Sequence, residues 1–502
     1  MKMPLLILPS LVALLTLFGP VEAGAEPLLA GVAKVEITHQ DHPAKENPPM
    51  VRALVLSQGG THAVIVAIDA VAIAEIGSIR DPFLAEVRAA LQVDLGIPGN
   101  SLVVNASHCH ALVSPDMAER TVKAVTEAWK SRVPVKAGAG TGYEDSIMEN
   151  RRLKLKSGKE ADVRHAYALP FDDEVASMGP IDPEIGLLRF DRIDNGEPLA
   201  AVFQFAVHPI MGVPDGSNGA DLSGFAAQTI EANLGDGTAT ALFLQACGGD
   251  INPALYKSVD LPRDGKNLGM RLGLSALSGL RDIETQAEVP LAIASETLTL
   301  PRADHGPRID AMEKEIDELT VALKGTTLNF ETFLPLYVKY HLNADYPSEV
   351  AGRYLQDELI GRNDWKSQDA GNRAAMEAYL RNIRTMEELT RKQINLNLLS
   401  RHQARRAELG ETVSAEVMSL RIGDFRLVTF PAELTVEIGL DLKKKSPHPL
   451  SFVSGYTNGY LYYAPTREQA KNRGNAQEDS DCLLAPEWQE IFEATALRLL
   501  AQ

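Results

Sequence analysis

Side chains capable of chemistry recur in this sequence directly after short apolar runs. Leu102-Val103-Val104 leads into Asn105-Ala106-Ser107-His108-Cys109-His110, and the run ending at Ala206-Val207 leads into His208-Pro209. Ala241-Leu242-Phe243-Leu244 leads into Gln245-Ala246-Cys247-Gly248-Gly249-Asp250. Leu427-Val428-Thr429-Phe430 precedes Pro431-Ala432-Glu433, and Phe452-Val453 precedes a tyrosine-rich stretch from Tyr456 to Tyr463. In an extended segment, residues two apart point the same way. His108 and His110 can therefore face one pocket, and neutral imidazole is a common zinc ligand. Taken singly, each group has an ordinary alternative. The His-x-His pair can be a hydrogen-bonded surface pair, His208 a core histidine, and Glu433 an acid in the first turn of a helix. Tyr460, Tyr462 and Tyr463 can be core aromatics with hydroxyls at the rim. Ligands of open α/β sheets bind beyond the carboxyl ends of the strands, so these strand ends are expected to converge on one site.

The elements that must position them are legible from periodicity. Ala53-Leu54-Val55-Leu56, Gly59-Gly60 and Ala63-Val64-Ile65-Val66-Ala67-Ile68 read as a β-hairpin. Asp81-Pro82 opens a helix with the apolar stripe Phe83, Leu84, Val87, Ala90 and Leu91, and Gly96 closes it. A second helix carries Val122, Val125 and Trp129. The runs 102–104, 201–207 and 241–244 are strands, and the pattern returns at 416–422 and 425–430 around the turn at Gly423-Asp424. Residues 304–408 are rich in Glu, Lys, Leu, Arg and Gln at helical spacing and predict a mainly helical insertion; a closing helix runs from about Pro486 to Leu500. The alternation predicts an α/β fold, a mixed β-sheet core with flanking helices.

The bulk composition narrows the class. In 502 residues, 67 acidic against 49 basic side chains leave a net charge of -18. No cationic excess exists to displace counterions, so nucleic acid is excluded as a partner. Lys2, an apolar run to Phe18 and Ala23-Gly24-Ala25 have the layout of a secretory signal. Residues 1–25 are expected to be cleaved from an exported mature chain, 26–502, that is secreted or periplasmic and has no transmembrane segment. The three cysteines, Cys109, Cys247 and Cys482, allow one disulfide at most and contain no CxxC pair for a thiolate zinc site.

Together these pieces resemble the catalytic domain of the neutral/alkaline non-lysosomal ceramidases, over most of the mature chain. The resemblance is carried by Ser107-His108-Cys109-His110, Glu149-Asn150-Arg151-Arg152, Gly179-Pro180-Ile181-Asp182-Pro183-Glu184 and Phe205-Ala206-Val207-His208-Pro209. Gly249-Asp250-Ile251-Asn252-Pro253, Pro431-Ala432-Glu433 and Tyr463-Ala464-Pro465-Thr466 continue it in the family's order. It implies a zinc amidase acting on a lipid or small-molecule amide. By the same resemblance His108, His208, Glu433 and Tyr463 are metal ligands, His110 carries the proton and Arg151 steadies the oxyanion. Tyr463 is preferred to Tyr460 and Tyr462 because it directly precedes Ala464-Pro465-Thr466.

The sequence also departs from that family. Cys109 replaces Thr, and Ala111-Leu112-Val113 follows where the family reads Ser-Gly-Pro. Asn252 stands where the family carries a serine, which excludes a serine nucleophile there, and Gln477 falls near the place of a second active-site tyrosine. The end at Gln502 leads us to expect no following β-sandwich module. These departures keep two other readings open: an amidase on a non-lipid N-acyl compound such as an N-acyl amino sugar, and an inactive exported binding protein. Smaller features have paired readings too. Asp221 is a helix cap or, with Ser223, orients a ligand histidine. Gly248-Gly249-Asp250 offers N–H groups to substrate or is a tight turn. The Asn105-Ala106-Ser107 sequon abuts the site and is discounted. The sequence does not set an oligomeric state.

Overall fold

The computed structural model describes residues 26–162, 170–256, 263–347, 351–473 and 476–502. The expected signal segment, 1–25, lies outside the described residues. Eight strands form the larger sheet: β1 (Leu29–Glu36), β2 (Met50–Gln58), β3 (Thr61–Ile68), β4 (Leu102–Ala106), β5 (Val133–Tyr143), β6 (Glu184–Arg192), β7 (Pro198–Phe205) and β8 (Thr240–Gln245). Their order is β8-β7-β6-β5-β1-β2-β3-β4. The β2–β3 hairpin turns on Gly59 and Gly60, both at positive φ (53° and 81°), a turn that side chains disfavour. Only the outermost pairs, β3–β4 and β7–β8, are parallel. Parallel neighbours need a crossover, and helices α1 (Pro82–Leu95) and, further along, the one at Asp221–Asn233 supply them.

A smaller sheet, β9 (Leu291–Pro301), β10 (Thr412–Ile422), β11 (Phe425–Thr429) and β12 (Ser451–Ser454), runs in that order. The fold is thus α/β with two mixed sheets where the sequence predicts one. Alternation explains how they share a core: Val51, Ala53 and Val55 of β2 face helices, whereas Leu54 and Leu56 pack with Leu420, Phe425 and Phe452 of the smaller sheet. The remaining helices are α2 (Met117–Lys130), α3 (Asp221–Asn233), α4 (Gly265–Asp282), α5 (Gly306–Ala322), α6 (Phe330–Leu342), α7 (Gly352–Leu359), α8 (Asp364–Leu409), α9 (Val436–Lys445) and α10 (Trp488–Leu500). Asp81 adjoins α1 as expected but does not cap it; its carboxylate accepts from Glu75 N–H at 3.1 Å.

Helices α5 to α8 fill the interval predicted to be helical. They leave β9 after Pro301 and rejoin β10 at Thr412, residues that face each other in the antiparallel ladder. The helical segment therefore hangs from the end of one hairpin and leaves the sheet order unbroken. The larger sheet also curls until its two edge strands approach. Asn105 of β4 accepts from Gln245 N–H of β8 at 2.7 Å and donates to Gln245 O at 3.4 Å, a side chain standing in for a ladder residue. Asn105 is fully buried, which removes it as a glycosylation acceptor.

Candidate metal centre and cavity

Curling of the larger sheet and its packing against the smaller one bring the ends of β4, β7, β8, β11 and β12 to one place. After β4 the chain is held by Ser107 and His108 N–H groups donating to Ile68 O and Ala70 O. His108 itself has φ 67°, a left-handed conformation that costs a non-glycine residue of order 1 kcal/mol or more. The extended His-x-His geometry expected from sequence is therefore replaced by a kinked one, yet both rings still line the same cavity, edge-on with centroids 5.5 Å apart. His208 follows β7, its N–H donating to Ile251 O at 2.9 Å.

Each buried histidine has its Nδ1 on a carbonyl, His108 on Val71 O at 2.7 Å and His208 on Ile251 O at 3.1 Å. A carbonyl only accepts, so Nδ1 carries the proton and Nε2 presents its lone pair. Those Nε2 atoms lie 3.5 Å and 3.2 Å from Glu433 Oε2. The ligand atoms of His108, His208 and Glu433 all fall within 4.8 Å of one another, with all three residues buried. Two imidazole lone pairs and a carboxylate facing one point is a donor set that a cation satisfies, and its chemistry suits zinc. Burial alone would raise the Glu433 pKa, but His108, His208 and the Tyr460 hydroxyl outweigh it and hold the carboxyl well below its usual range. Desolvation lowers His108 to about 4. His110 opens onto the cavity solvent, yet desolvation first, and then His108, push it down to about 4 as well.

The tyrosines separate by direction. Glu433 and Tyr463 face each other across a two-residue parallel ladder, and Tyr463 lines the cavity. Tyr460 donates to Glu433 Oε1. Tyr462 turns away, toward Glu75 and Arg405. Tyr456, which the sequence did not single out, packs against His108 with the rings tilted and their centroids 4.6 Å apart, and donates to Glu433 Oε2 at 3.2 Å. Burial, then Glu433, raises the pKa of both Tyr456 and Tyr460, so both stay donors.

Arg151 is buried on the cavity wall, its guanidinium carbon 5.5 Å from the Tyr463 ring centre. It donates through Nε to Glu478 at 2.6 Å, through Nη1 to Asn252 Oδ1 at 3.1 Å, and through Nη2 to Gly249 O. Glu478, also invisible in the sequence, is fully buried and reaches Arg152 as well, at 3.4 Å. Gln477 and Asn252 both line the cavity, whose volume is about 540 Å³. Gly249 N–H is taken by Leu434 O and Gly248 N–H by Ala246 O, so these two glycine N–H groups are not on offer to substrate. Asp221 does not cap α3 in the expected way. It begins the helix at φ 54° and accepts from Gly212 and Leu222 N–H, tying down the loop after His208. The three cysteines are buried and unpaired with one another.

Fold and site together define an α/β protein with a buried His/His/Glu centre at the strand ends. Among solved structures, the chain superposes on neutral ceramidase from Pseudomonas aeruginosa with a TM-score of 0.57 at 17% identity, covering 95% of this chain and 74% of that one. A ceramidase complexed with C2 gives a TM-score of 0.57 at 18% identity, covering 95% and 75%. The resemblance carried by short motifs thus extends to the fold along nearly the whole chain. No family model matches the sequence, and no curated protein does.

Proposed function

We propose that this chain is an exported, zinc-dependent amide hydrolase of neutral ceramidase type that cleaves the N-acyl bond of ceramide or a related N-acyl lipid. The observation that carries the proposal is the buried convergence of His108, His208 and Glu433 on the wall of a cavity, in a ceramidase-like fold. These three residues and Tyr463 would hold the ion. Zinc, when bound, supplies Lewis acidity that activates water near neutral pH and polarises an acyl carbonyl. The rest is assigned to the chain. His110, neutral above about pH 4, accepts a proton from the attacking water and returns it to the leaving amine. Arg151 stays a fixed cation and counters the charge that develops on the acyl oxygen. Export rests on the layout of residues 1–25; among the described residues no helix is long and apolar enough to cross a membrane.

The polar wall made by Arg151, Asn252, Gln477 and Asn218 favours a second reading of the substrate, a non-lipid N-acyl compound such as an N-acyl amino sugar. A hydrolysis screen over ceramides of different acyl length and soluble N-acyl amines separates the two. Metal analysis should find near-stoichiometric zinc in the purified protein. His108→Ala should lose metal and turnover together, whereas His110→Ala should keep metal and lose turnover by about 10²-fold or more. A protein that neither contains zinc nor gains activity from it, or that is unaffected by both substitutions, refutes the proposal.

A further inference from the structure

Asn252 is the middle residue of a short strand, Ile251–Pro253, paired antiparallel with Met148–Asn150. Its backbone is therefore fixed, it is 0% exposed, and it lines the cavity beside Arg151. A guanidinium has donors only. The 3.1 Å bond from Arg151 Nη1 consequently settles which way the amide faces: Oδ1 toward Arg151, Nδ2 away from it. Nδ2 has no acceptor among the described residues. A buried N–H left in that state costs about 1–3 kcal/mol, and a hydrophobic residue of similar size would avoid the cost. Asn252 lines the same cavity as His108 and His110, and the missing acceptor is therefore assigned to whatever fills that cavity.

We infer that Asn252 is a catalytic residue, its Nδ2–H donating to the acyl oxygen of the substrate while Arg151 holds the amide in register. This rests on the reading of the cavity as an amide-hydrolase site, and it makes the wall a two-part receptor, one neutral donor beside one cation. Such a receptor selects for a carbonyl oxygen and acts most strongly on the oxygen that gains charge during the reaction.

The test uses octanamide, a neutral acyl amide, titrated calorimetrically into the metal-free full chain, and steady-state kinetics of the zinc-loaded enzyme on its best substrate. Asn252→Asp keeps the shape and replaces the donor by an acceptor; Asn252→Ala removes both. Each should weaken octanamide binding about tenfold, the equivalent of about 1.4 kcal/mol. Asn252→Ser, which restores a hydroxyl donor, should fall between them and the wild type. Zinc content should stay unchanged, and kcat should drop about 10²-fold with KM little altered. Octanamide binding that is absent in the wild type, or equal in the wild type and both donor-less variants, overturns the inference. Binding that depends on Asn252 in a protein that hydrolyses no amide overturns the hydrolase reading and leaves the donor assignment standing.

Discussion

Glu433 is held by two hydroxyl donors, Tyr456 on Oε2 and Tyr460 on Oε1, while the Nε2 lone pairs of His108 and His208 face Oε2 at 3.5 Å and 3.2 Å. Donors that orient a ligand carboxylate usually change metal affinity by about 10–100-fold when removed. Tyr456→Phe keeps the ring on His108 and deletes only the bond to Oε2. It should raise the zinc dissociation constant within that range, measured by competition with a chelator. Asp221 offers a test of a different kind. Burial raises its pKa to about 7, against the pull of the Gly212 and Leu222 N–H groups. Between its unfolded value of about 3.9 and that value the native state holds the extra proton, so its contribution to stability declines as pH rises through this window. Asp221→Asn removes the titration. The stability difference between variant and wild type should therefore shift in the variant's favour from pH 5 to pH 7, by at most about 1.4 kcal/mol per pH unit. Urea melts across that range check it; a difference that is flat with pH contradicts the assignment.

Strand ends bring the proposed ligands together, and two contacts between elements keep them there. The first is a close approach. A Cβ on Gly249 would lie 2.6 Å from Glu433 O and 2.8 Å from Leu434 O, both backbone atoms that cannot swing aside. Gly249→Ala should cost about 1–3 kcal/mol and loosen zinc by displacing the Glu433 strand. The second joins the helical segment to the site. Arg405 of α8 reaches both carboxylate oxygens of Glu75 and the Tyr462 hydroxyl, while His402 of the same helix meets Asp481 at 2.8 Å. Tyr462 lies between Tyr460 and Tyr463, so α8 braces the stretch that carries both. Arg405 and Glu75 are partly open to solvent, which limits the loss of stability in Arg405→Ala to about 1 kcal/mol. Its effect should instead fall on function, as a several-fold loss of kcat with the fold intact by circular dichroism.

For the whole molecule, drawing the proposed ligands from distant parts of the chain would make metal binding a global constraint. His108, His208 and Glu433 come from three separate strand ends and meet only when both sheets are packed. Zinc that binds the folded chain alone stabilises it by about 2.7 kcal/mol at a free concentration a hundredfold above its dissociation constant. Thermal unfolding should therefore shift upward with added zinc and downward with chelator. The shift should vanish in His108→Ala, whose own melting in chelator should stay close to that of the wild type.

Much of this was readable before any folding was considered. Alternating apolar residues, the Gly59-Gly60 turn, the Asp81-Pro82 start and the Gly96 stop mark their elements because such signals act over a few residues of chain. The same short range shows that His108, His208, Gly249, Glu433 and the tyrosines each follow a strand. Joining them into one proposed ligand set took the family resemblance, because no spacing in the sequence encodes a meeting of residues 100 positions apart or more. The choice among neighbouring tyrosines needed the packed molecule. Tyr462 is turned aside by a positive φ of 60° and by Glu75, 387 positions away. Glu478, fully buried between two arginines, and the unpaired Nδ2 of Asn252 likewise carry meaning only as buried groups. Local propensity wrote the strands and helices; burial, which exists only once distant segments have closed over a group, decided which polar side chains face the cavity and what they can do there.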